Sequence, residues 1–181
     1  AFTVGISLSS DEKYFFITTS DHNTAEQYYF EANEKEPKPK LIKKRKKGIL
    51  YSVNSWGEKF YNHTNENAED FKIDIAENLD KQEWKKFIDS KKEVLIGGLT
   101  FLDNWIIRSE TSDALDKLFV KNIMNGKEEE LIFSDESVYV PGVSLCQRNR
   151  KTDEIYLGYS SPKTQSRVYL YNLKTKEKKL V

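Results

Sequence analysis

Two serines come closest to a catalytic nucleophile. In "GISLS" and "GVSLC", Gly5 and Gly142 each stand two residues before a serine, Ser7 or Ser144. A nucleophile elbow, G-x-S-x-G, needs a second glycine two residues after the serine, so that the chain turns sharply from strand to helix and exposes the hydroxyl. Here that position holds Ser9 or Cys146. Both segments read as strand interiors, and neither serine is assigned as a nucleophile. His22 sits in a polar turn, "SDHNTA", and His63 follows an apolar pair on a strand in "YNHTN". No serine, cysteine and carboxylate set can be argued around either. Cys146 is the only cysteine, so an internal disulfide is excluded, and no Cys/His pair has zinc-site spacing. Arg148 and Arg150 in "CQRNR" would lower the pKa of a nearby thiol; the commoner role of a free cysteine at the end of a strand is burial. No catalytic, cofactor-binding or metal-ligating residue is assigned, and no cofactor is expected.

Charge offers little more. The 181 residues carry 29 Lys plus Arg and 29 Asp plus Glu, which gives no global attraction to nucleic acid or anionic lipid. The one basic run, "KPKLIKKRKK" (residues 38–47), holds seven cations in ten positions. It follows the acidic "EANEKE" and reads as a solvated outer strand and loop rather than a nucleic-acid patch. No apolar run approaches the ~18 residues of a membrane helix. The start, "AFTVGISLSS", has neither an initiator Met nor a signal-peptide profile and begins inside a strand. The expectation is a piece of a longer, cytoplasmic chain, with no nucleic-acid or membrane partner.

The elements that would position any site repeat along the chain. Four segments share one frame: "KYFFITTSDHNTAEQYYFEA" from Lys13, "KFYNHTNENAEDFKIDIA" from Lys59, "NWIIRSETSDALDKLFVKNI" from Asn104 and "EIYLGYSSPKTQSRVYLYNL" from Glu154. Each opens and closes with an aromatic-rich strand, around five or six polar residues of turn composition. With Tyr14, Phe60, Trp105 and Tyr156 as equivalents, the steps are 46, 45 and 51 residues, the period of a propeller or solenoid. Upstream of each pair a further strand reads from "TVGISL", "ILYSVNS", "VLIGGLTFL" and "YVPGVSLC"; downstream, a fourth reads from "PKLIKKR", "EWKKFID", "EELIFS" and "EKKLV". Four antiparallel strands in about 45 residues make a propeller blade. The fold class is therefore all-β: about four four-stranded antiparallel blades, at 1–47, 48–91, 92–135 and 136–181. The glycines of the first strands (Gly5, Gly97, Gly98, Gly142) suit strands crowded round an axis. A helix can be argued only within 66–88, where the repeat frame overrides it. A lone four-stranded sheet leaves both faces bare, and repetition covers them.

The ordered set resembles the N-terminal propeller of the prolyl oligopeptidase family, its oligopeptidase B branch above all. "YSSPKTQSRVYLYNLKTKEKKLV" is similar to that domain's last blade; "FTVGISLSSDEKYFFITTSDHNTAEQYYFEA", "ILYSVNSWGEKFYNHTNENAEDFKI" and "GLTFLDNWIIRSETSDALDKLFV" are similar to earlier ones. The resemblance implies a segment of a seven-bladed propeller that partners a C-terminal α/β-hydrolase domain of the same parent chain. That domain, with its Ser-His-Asp triad, is not expected within these residues. It implies a parent enzyme that cuts short basic peptides after Lys or Arg, and a propeller that gates access without catalytic residues of its own. The alternative is a non-enzymatic propeller that scaffolds protein partners.

Under the first reading, the loops between second and third strands become candidate substrate-steering elements. "SDHNTA", "TNENAE", "ETSDAL" and "SPKTQS" carry Asp21, Glu66, Glu69, Glu110 and Asp113 against Lys163 alone. Carboxylates on one face would attract cationic peptides at long range, screened by salt; the plainer role is to keep the rim soluble. Four blades of a larger ring also leave two sheet faces uncovered, so either self-association of the chain or a disordered terminal blade is expected.

Overall fold

A computed structural model describes residues 1–132 and 136–181. It contains sixteen strands and, among the described residues, no helix. Sheet 1 is built from β1 (Thr3–Leu8), β2 (Tyr14–Ser20), β3 (Ala25–Glu31) and β4 (Lys40–Lys43); sheet 2 from β5 (Tyr51–Trp56), β6 (Lys59–Thr64), β7 (Lys72–Ala76) and β8 (Lys85–Ile88). Sheet 3 holds β9 (Val94–Leu102), β10 (Trp105–Ser112), β11 (Leu115–Asn122) and β12 (Glu128–Glu130); sheet 4 holds β13 (Val140–Leu145), β14 (Glu154–Ser160), β15 (Arg167–Asn172) and β16 (Lys178–Leu180). In every sheet the strands lie side by side in chain order, and every pairing is antiparallel. The stretch 66–88, where a helix was arguable, forms β7 and β8. Of "EELIFS", Glu129 and Glu130 belong to β12, and its last two residues lie outside the described residues.

Local chemistry explains the turns. Two-residue hairpin loops of type I′ need φ > 0 at both central positions to match strand twist. Gly57 and Glu58 (φ 58° and 62°) supply this between β5 and β6, and Asp113 and Ala114 (52° and 59°) between β10 and β11. The β11–β12 and β15–β16 hairpins share another device. The Asn122 carboxamide oxygen accepts from the backbone N–H of Met124 (2.9 Å) and Asn125 (3.2 Å). Asn172 does the same for Lys174 (3.0 Å) and Thr175 (2.9 Å).

The chain divides into two compact units, Ala1–Lys92 and Glu93–Val181. In unit 1, sheets 1 and 2 pack face to face through Phe16, Ala25, Tyr29 and Ile42 against Tyr51, Val53, Phe60 and Leu79. Tyr14 lies edge-on to Phe60 and to Tyr29, with centroids 5.1 and 6.2 Å apart. In unit 2 the core between sheets 3 and 4 is chiefly aliphatic: Leu102, Ile107, Leu118, Val120 and Leu131 against Ile155, Leu157 and Leu173. Crowding explains one first-strand glycine only. A Cβ on Gly97 would lie 2.2 Å from the Ser109 hydroxyl, whereas one on Gly5, Gly98 or Gly142 would meet nothing within 4 Å. Gly97 thus accommodates the register shift of β10 between Arg108 and Glu110.

Candidate functional site

The loops between second and third strands sit beside the connections that lead from one sheet to the next. In unit 1, Ala25 N–H donates to the Ile49 carbonyl (3.0 Å), and Asn65 N–H to the Leu50 carbonyl (3.2 Å). The Asn65 side chain closes the same junction, accepting from Leu50 N–H (2.8 Å) and donating to the Gly48 carbonyl (3.0 Å). In unit 2 a carboxylate does this work. Glu136, in the β12–β13 connection, accepts from the hydroxyls of Tyr159 (2.6 Å), Ser161 (2.6 Å) and Thr164 (2.7 Å) at the β14–β15 loop.

The five carboxylates singled out in the sequence do not form one set. Asp21 caps its own turn: its carboxylate accepts from Asn23 N–H (3.0 Å) and its N–H donates to the Thr24 carbonyl (3.0 Å). The Asn23 N–H foremost holds its pKa below the usual carboxylate value. It lines an open cleft of about 600 Å³ together with His22, Arg45 and Lys47, so cations already surround it. Glu66 is half-buried and ion-paired with Lys43, whose hydrogen bond lowers its pKa. Glu69 and Asp113 are exposed, Glu69 in the β6–β7 loop and Asp113 at the β10–β11 turn.

Glu110 requires a correction. It lies not on a loop but within β10, 4% exposed. Its carboxylate accepts from Arg108 Nε at 2.9 Å; the other two guanidinium nitrogens hold Glu128 at 2.8 and 3.0 Å, over the Phe119 ring. The turn needs only Asp113 and Ala114, so Thr111 and Ser112, polar by composition, continue the strand. Threonine favours strands as strongly as it populates turns.

Two carboxylates that composition did not single out are the most firmly held. Glu26, 8% exposed on β3, accepts from the Arg45 guanidinium and backbone N–H (both 3.0 Å) and from the Tyr28 hydroxyl (2.9 Å). The Arg45 contacts foremost bring its pKa down to about 2. The three hydroxyls on Glu136, Ser161 first, do the same for that group, also to about 2. The basic run is correspondingly spent in part: Lys40 reaches Asp80 (3.5 Å), Lys43 Glu66 and Arg45 Glu26, while Lys44, Lys46 and Lys47 are exposed. Only contacts between residues 19 to 40 positions apart reveal this pairing, so no local motif could have found it.

The remaining reactive types have structural roles. Ser7 and Ser144 lie inside β1 and β13, opposite Phe16 and Tyr156. His63 stacks on Phe71 with ring centroids 4.6 Å apart, and His22 is exposed. The Cys146 thiol is pushed up, by burial first and Glu154 second, the reverse of the lowering expected from Arg148 and Arg150. Trp105 donates its indole N–H to Asp153 at 2.7 Å. Among the described residues, no group of three or more His, Cys, Asp or Glu side chains could hold a metal ion, and no helix is long and apolar enough to cross a membrane.

Comparison with known proteins supplies what the side chains alone do not. The family model of the prolyl oligopeptidase N-terminal β-propeller domain matches residues 1–181. Protease 2 of Moraxella lacunata is 26% identical over 183 residues, covering 98% of this chain and 25% of that protein. Oligopeptidase B from Trypanosoma brucei, solved in a closed form with covalently bound antipain, superposes with a TM-score of 0.88 at 22% identity, over 99% of this chain and 27% of that one. Oligopeptidase B from Leishmania major superposes with a TM-score of 0.83 at 16% identity, over 99% and 27%. The chain spans about a quarter of the length of these relatives.

Proposed function

This chain belongs to the prolyl oligopeptidase family as its N-terminal β-propeller, and we propose that it is the gating part of a peptidase that hydrolyses short peptides after Lys or Arg. The observation that carries this reading is the match of the propeller domain along all 181 residues, joined to the likeness to Protease 2. The sheets supply exclusion and positioning. Ser7 and Ser144 lie within strands β1 and β13, and on this reading the chemistry belongs to an α/β-hydrolase domain of the parent chain. A single half-buried cysteine, Cys146, suits a cytoplasmic protein, where thiols stay reduced.

Glu69 and Asp113 are the carboxylates through which the loops would draw basic peptides, since Glu66 is paired with Lys43 and Glu110 is buried against Arg108. Their contribution is long-range attraction, which falls with ionic strength. The test uses the parent enzyme. Arg- and Lys-containing peptides are expected to be cleaved, their neutral analogues far more slowly, and folded proteins not at all. Equal cleavage of Arg and neutral substrates would remove the basic preference. Absence of any peptidase activity would favour the scaffold reading instead. Neutralising Glu69 and Asp113 together should lower kcat/KM for a dibasic peptide by about two- to threefold at low salt and not at high salt.

The isolated chain also self-associates on this reading. Val4 and Ile6 in unit 1 are 72 and 63% exposed, and Val140 and Val168 in unit 2 are 58 and 43% exposed.

A further inference from the structure

We infer that Asn125, at the tip of the β11–β12 hairpin, is a site of spontaneous deamidation whose rate Asn122 sets by holding the turn. The inference concerns a covalent modification and is independent of the parent's substrate.

Asparagine deamidates when the next backbone nitrogen attacks the side-chain carboxamide. A Cβ on the following residue shields that nitrogen, and glycine removes the shield. Asn125 is the only asparagine of this chain followed by glycine. Met124, Asn125, Gly126 and Lys127 are all exposed, so water and hydroxide reach the turn. The turn itself does not demand this pair of residues. In the β15–β16 hairpin, Lys176 N–H donates to the Asn172 carbonyl (2.8 Å) and Asn172 N–H to the Glu177 carbonyl (2.9 Å). Gly126 N–H and Asn122 N–H donate in the same way to the Asn122 and Lys127 carbonyls, at 2.9 and 2.8 Å. Lys176 takes the same left-handed backbone, with φ 66° against 72° at Gly126. Thr175 and Lys176 thus close there what Asn125 and Gly126 close here. Asn54, followed by Ser55, is the rival with the next smallest neighbour. Its Oδ1 is held by Ser10 N–H at 2.9 Å, and Ser55 is 1% exposed within β5.

The hydrogen bonds of the turn both favour and delay the reaction. Asn125 Oδ1 accepts from Lys127 N–H at 2.9 Å. That donor draws charge from the carboxamide carbon and faces the oxygen that becomes negative in the tetrahedral intermediate. Gly126 N–H, in contrast, is engaged by the Asn122 carbonyl, while the Asn122 side chain holds the N–H groups of Met124 (2.9 Å) and Asn125 (3.2 Å). The nitrogen attacks after losing its proton, so its bond to Asn122 must open first. A bond then forms between the Gly126 nitrogen and Asn125 Cγ, the Cγ–Nδ2 bond breaks, and ammonia leaves with the proton that Gly126 gave up. Water opens the resulting succinimide at either carbonyl. One opening leaves aspartate; the other leaves isoaspartate, with the chain rerouted through Cγ. Either way a neutral carboxamide becomes a carboxylate. It arises in an open cleft of about 390 Å³ that Asn125 lines with Trp105, Lys127, Glu129 and Lys176, beside the ion pairs of Glu129 with the two lysines.

The test uses the parent enzyme, aged at mildly alkaline pH and digested with trypsin, which releases the peptide 122–127. Mass spectrometry should find Asn125 converted ahead of every other asparagine of these 181 residues, and faster as pH rises. Asn122→Ala should speed the conversion about fivefold, the change in open population that follows loss of one ordinary hydrogen bond. Asn122→Asp keeps an acceptor for the Met124 and Asn125 N–H groups and should react at the wild-type rate. Far-UV circular dichroism checks that both variants fold. An Asn125 that stays intact, or that converts after Asn54, overturns the site. Conversion of Asn125 at one rate in all three proteins, or equal acceleration in both variants, keeps the site and overturns the role of Asn122.

Discussion

The interiors of the two units hold the same topology together by different means. In unit 1, polar contacts cross between sheets. Gln27, 3% exposed, donates from its side chain to the Thr18 hydroxyl (3.1 Å) and accepts from Val53 N–H (2.8 Å). Its backbone N–H donates to the Tyr51 hydroxyl (2.8 Å), which donates onward to the Lys43 carbonyl (2.6 Å). At the other end of the interface the Ser55 hydroxyl donates to Asp11 (2.8 Å) and the Asn54 side chain to Ser10 (2.9 Å). In unit 2 the centre is Leu102, Ile107, Ile155, Leu157 and Leu173, each 0–2% exposed. Its inter-sheet hydrogen bonds sit at the margins, as Trp105 to Asp153 (2.7 Å) and Arg150 to the Phe101 carbonyl (3.0 Å). Hydrophobic burial is non-directional and tolerates small slides of one sheet on another. A buried hydrogen bond does not, because a displaced partner leaves an unsatisfied group. The difference teaches that a four-stranded sheet accepts either means of docking: unit 1 defines its inter-sheet register with hydrogen bonds, unit 2 with shape.

The comparison breaks most readily at the aliphatic centre. Leu157→Ala should destabilise unit 2 by about 3 kcal/mol, the sum of lost transfer free energy and a residual cavity, read from urea denaturation with hydrogen exchange of β10 and β14 as the local probe. A loss below about 1 kcal/mol would mean that this core is not closely packed. Gln27→Ala comes next, at about 2 kcal/mol, because Val53 N–H and the Thr18 hydroxyl lose a buried partner. Its signature is faster exchange at Val53. A Gln27→Leu variant as stable as wild type would show that the polar contacts specify register without adding net stability.

Trp105→Phe, at the margin of unit 2, should cost about 1 kcal/mol, the usual net value of one hydrogen bond with part of an aromatic contact; Tyr51→Phe in unit 1 should cost more, since its hydroxyl serves two backbone partners, the Gln27 N–H and the Lys43 carbonyl. Acid sharpens the contrast with the smallest effect. Glu26 in unit 1 and Glu136 in unit 2 are both lowered from an ordinary value of 4.5 to about 2. A depressed carboxylate stabilises fully above its unfolded pKa, and that stabilisation is lost as pH falls through the folded value. Both units should therefore weaken between pH 4.5 and 2. Glu136→Gln should flatten the acid dependence of exchange at the β14–β15 loop, and Glu26→Gln that at the β4–β5 connection, neither affecting the other.

Much of the fold was legible because its signals are local. Aromatic strands that alternate in burial, polar turns at fixed offsets and a repeat of about 45 residues reflect contacts between neighbours in a hairpin, which a linear pattern records. Thus "VYLYN" and "KIDIA" could be placed as strands, and the helical look of 66–88 yielded to the repeat. Turn boundaries were less legible at "ETSDAL", where threonine and serine serve strand and turn alike.

The sequence by itself determined the all-β class, the order of four sheets and the family, because strand periodicity and repeat length survive without knowledge of any distant contact. The tertiary structure alone decided which charges remain available. Glu66 meets Lys43, Glu110 and Glu128 meet Arg108, Glu26 meets Arg45, and Glu136 meets three hydroxyls of the next hairpin. The direction of the Cys146 shift was likewise a matter of burial, not of the arginines beside it in sequence. A carboxylate's charge acts through space, and it is offset by a cation or held in place by hydroxyls that the fold brings within about 4 Å. Composition counts such groups; only the packed sheets pair them.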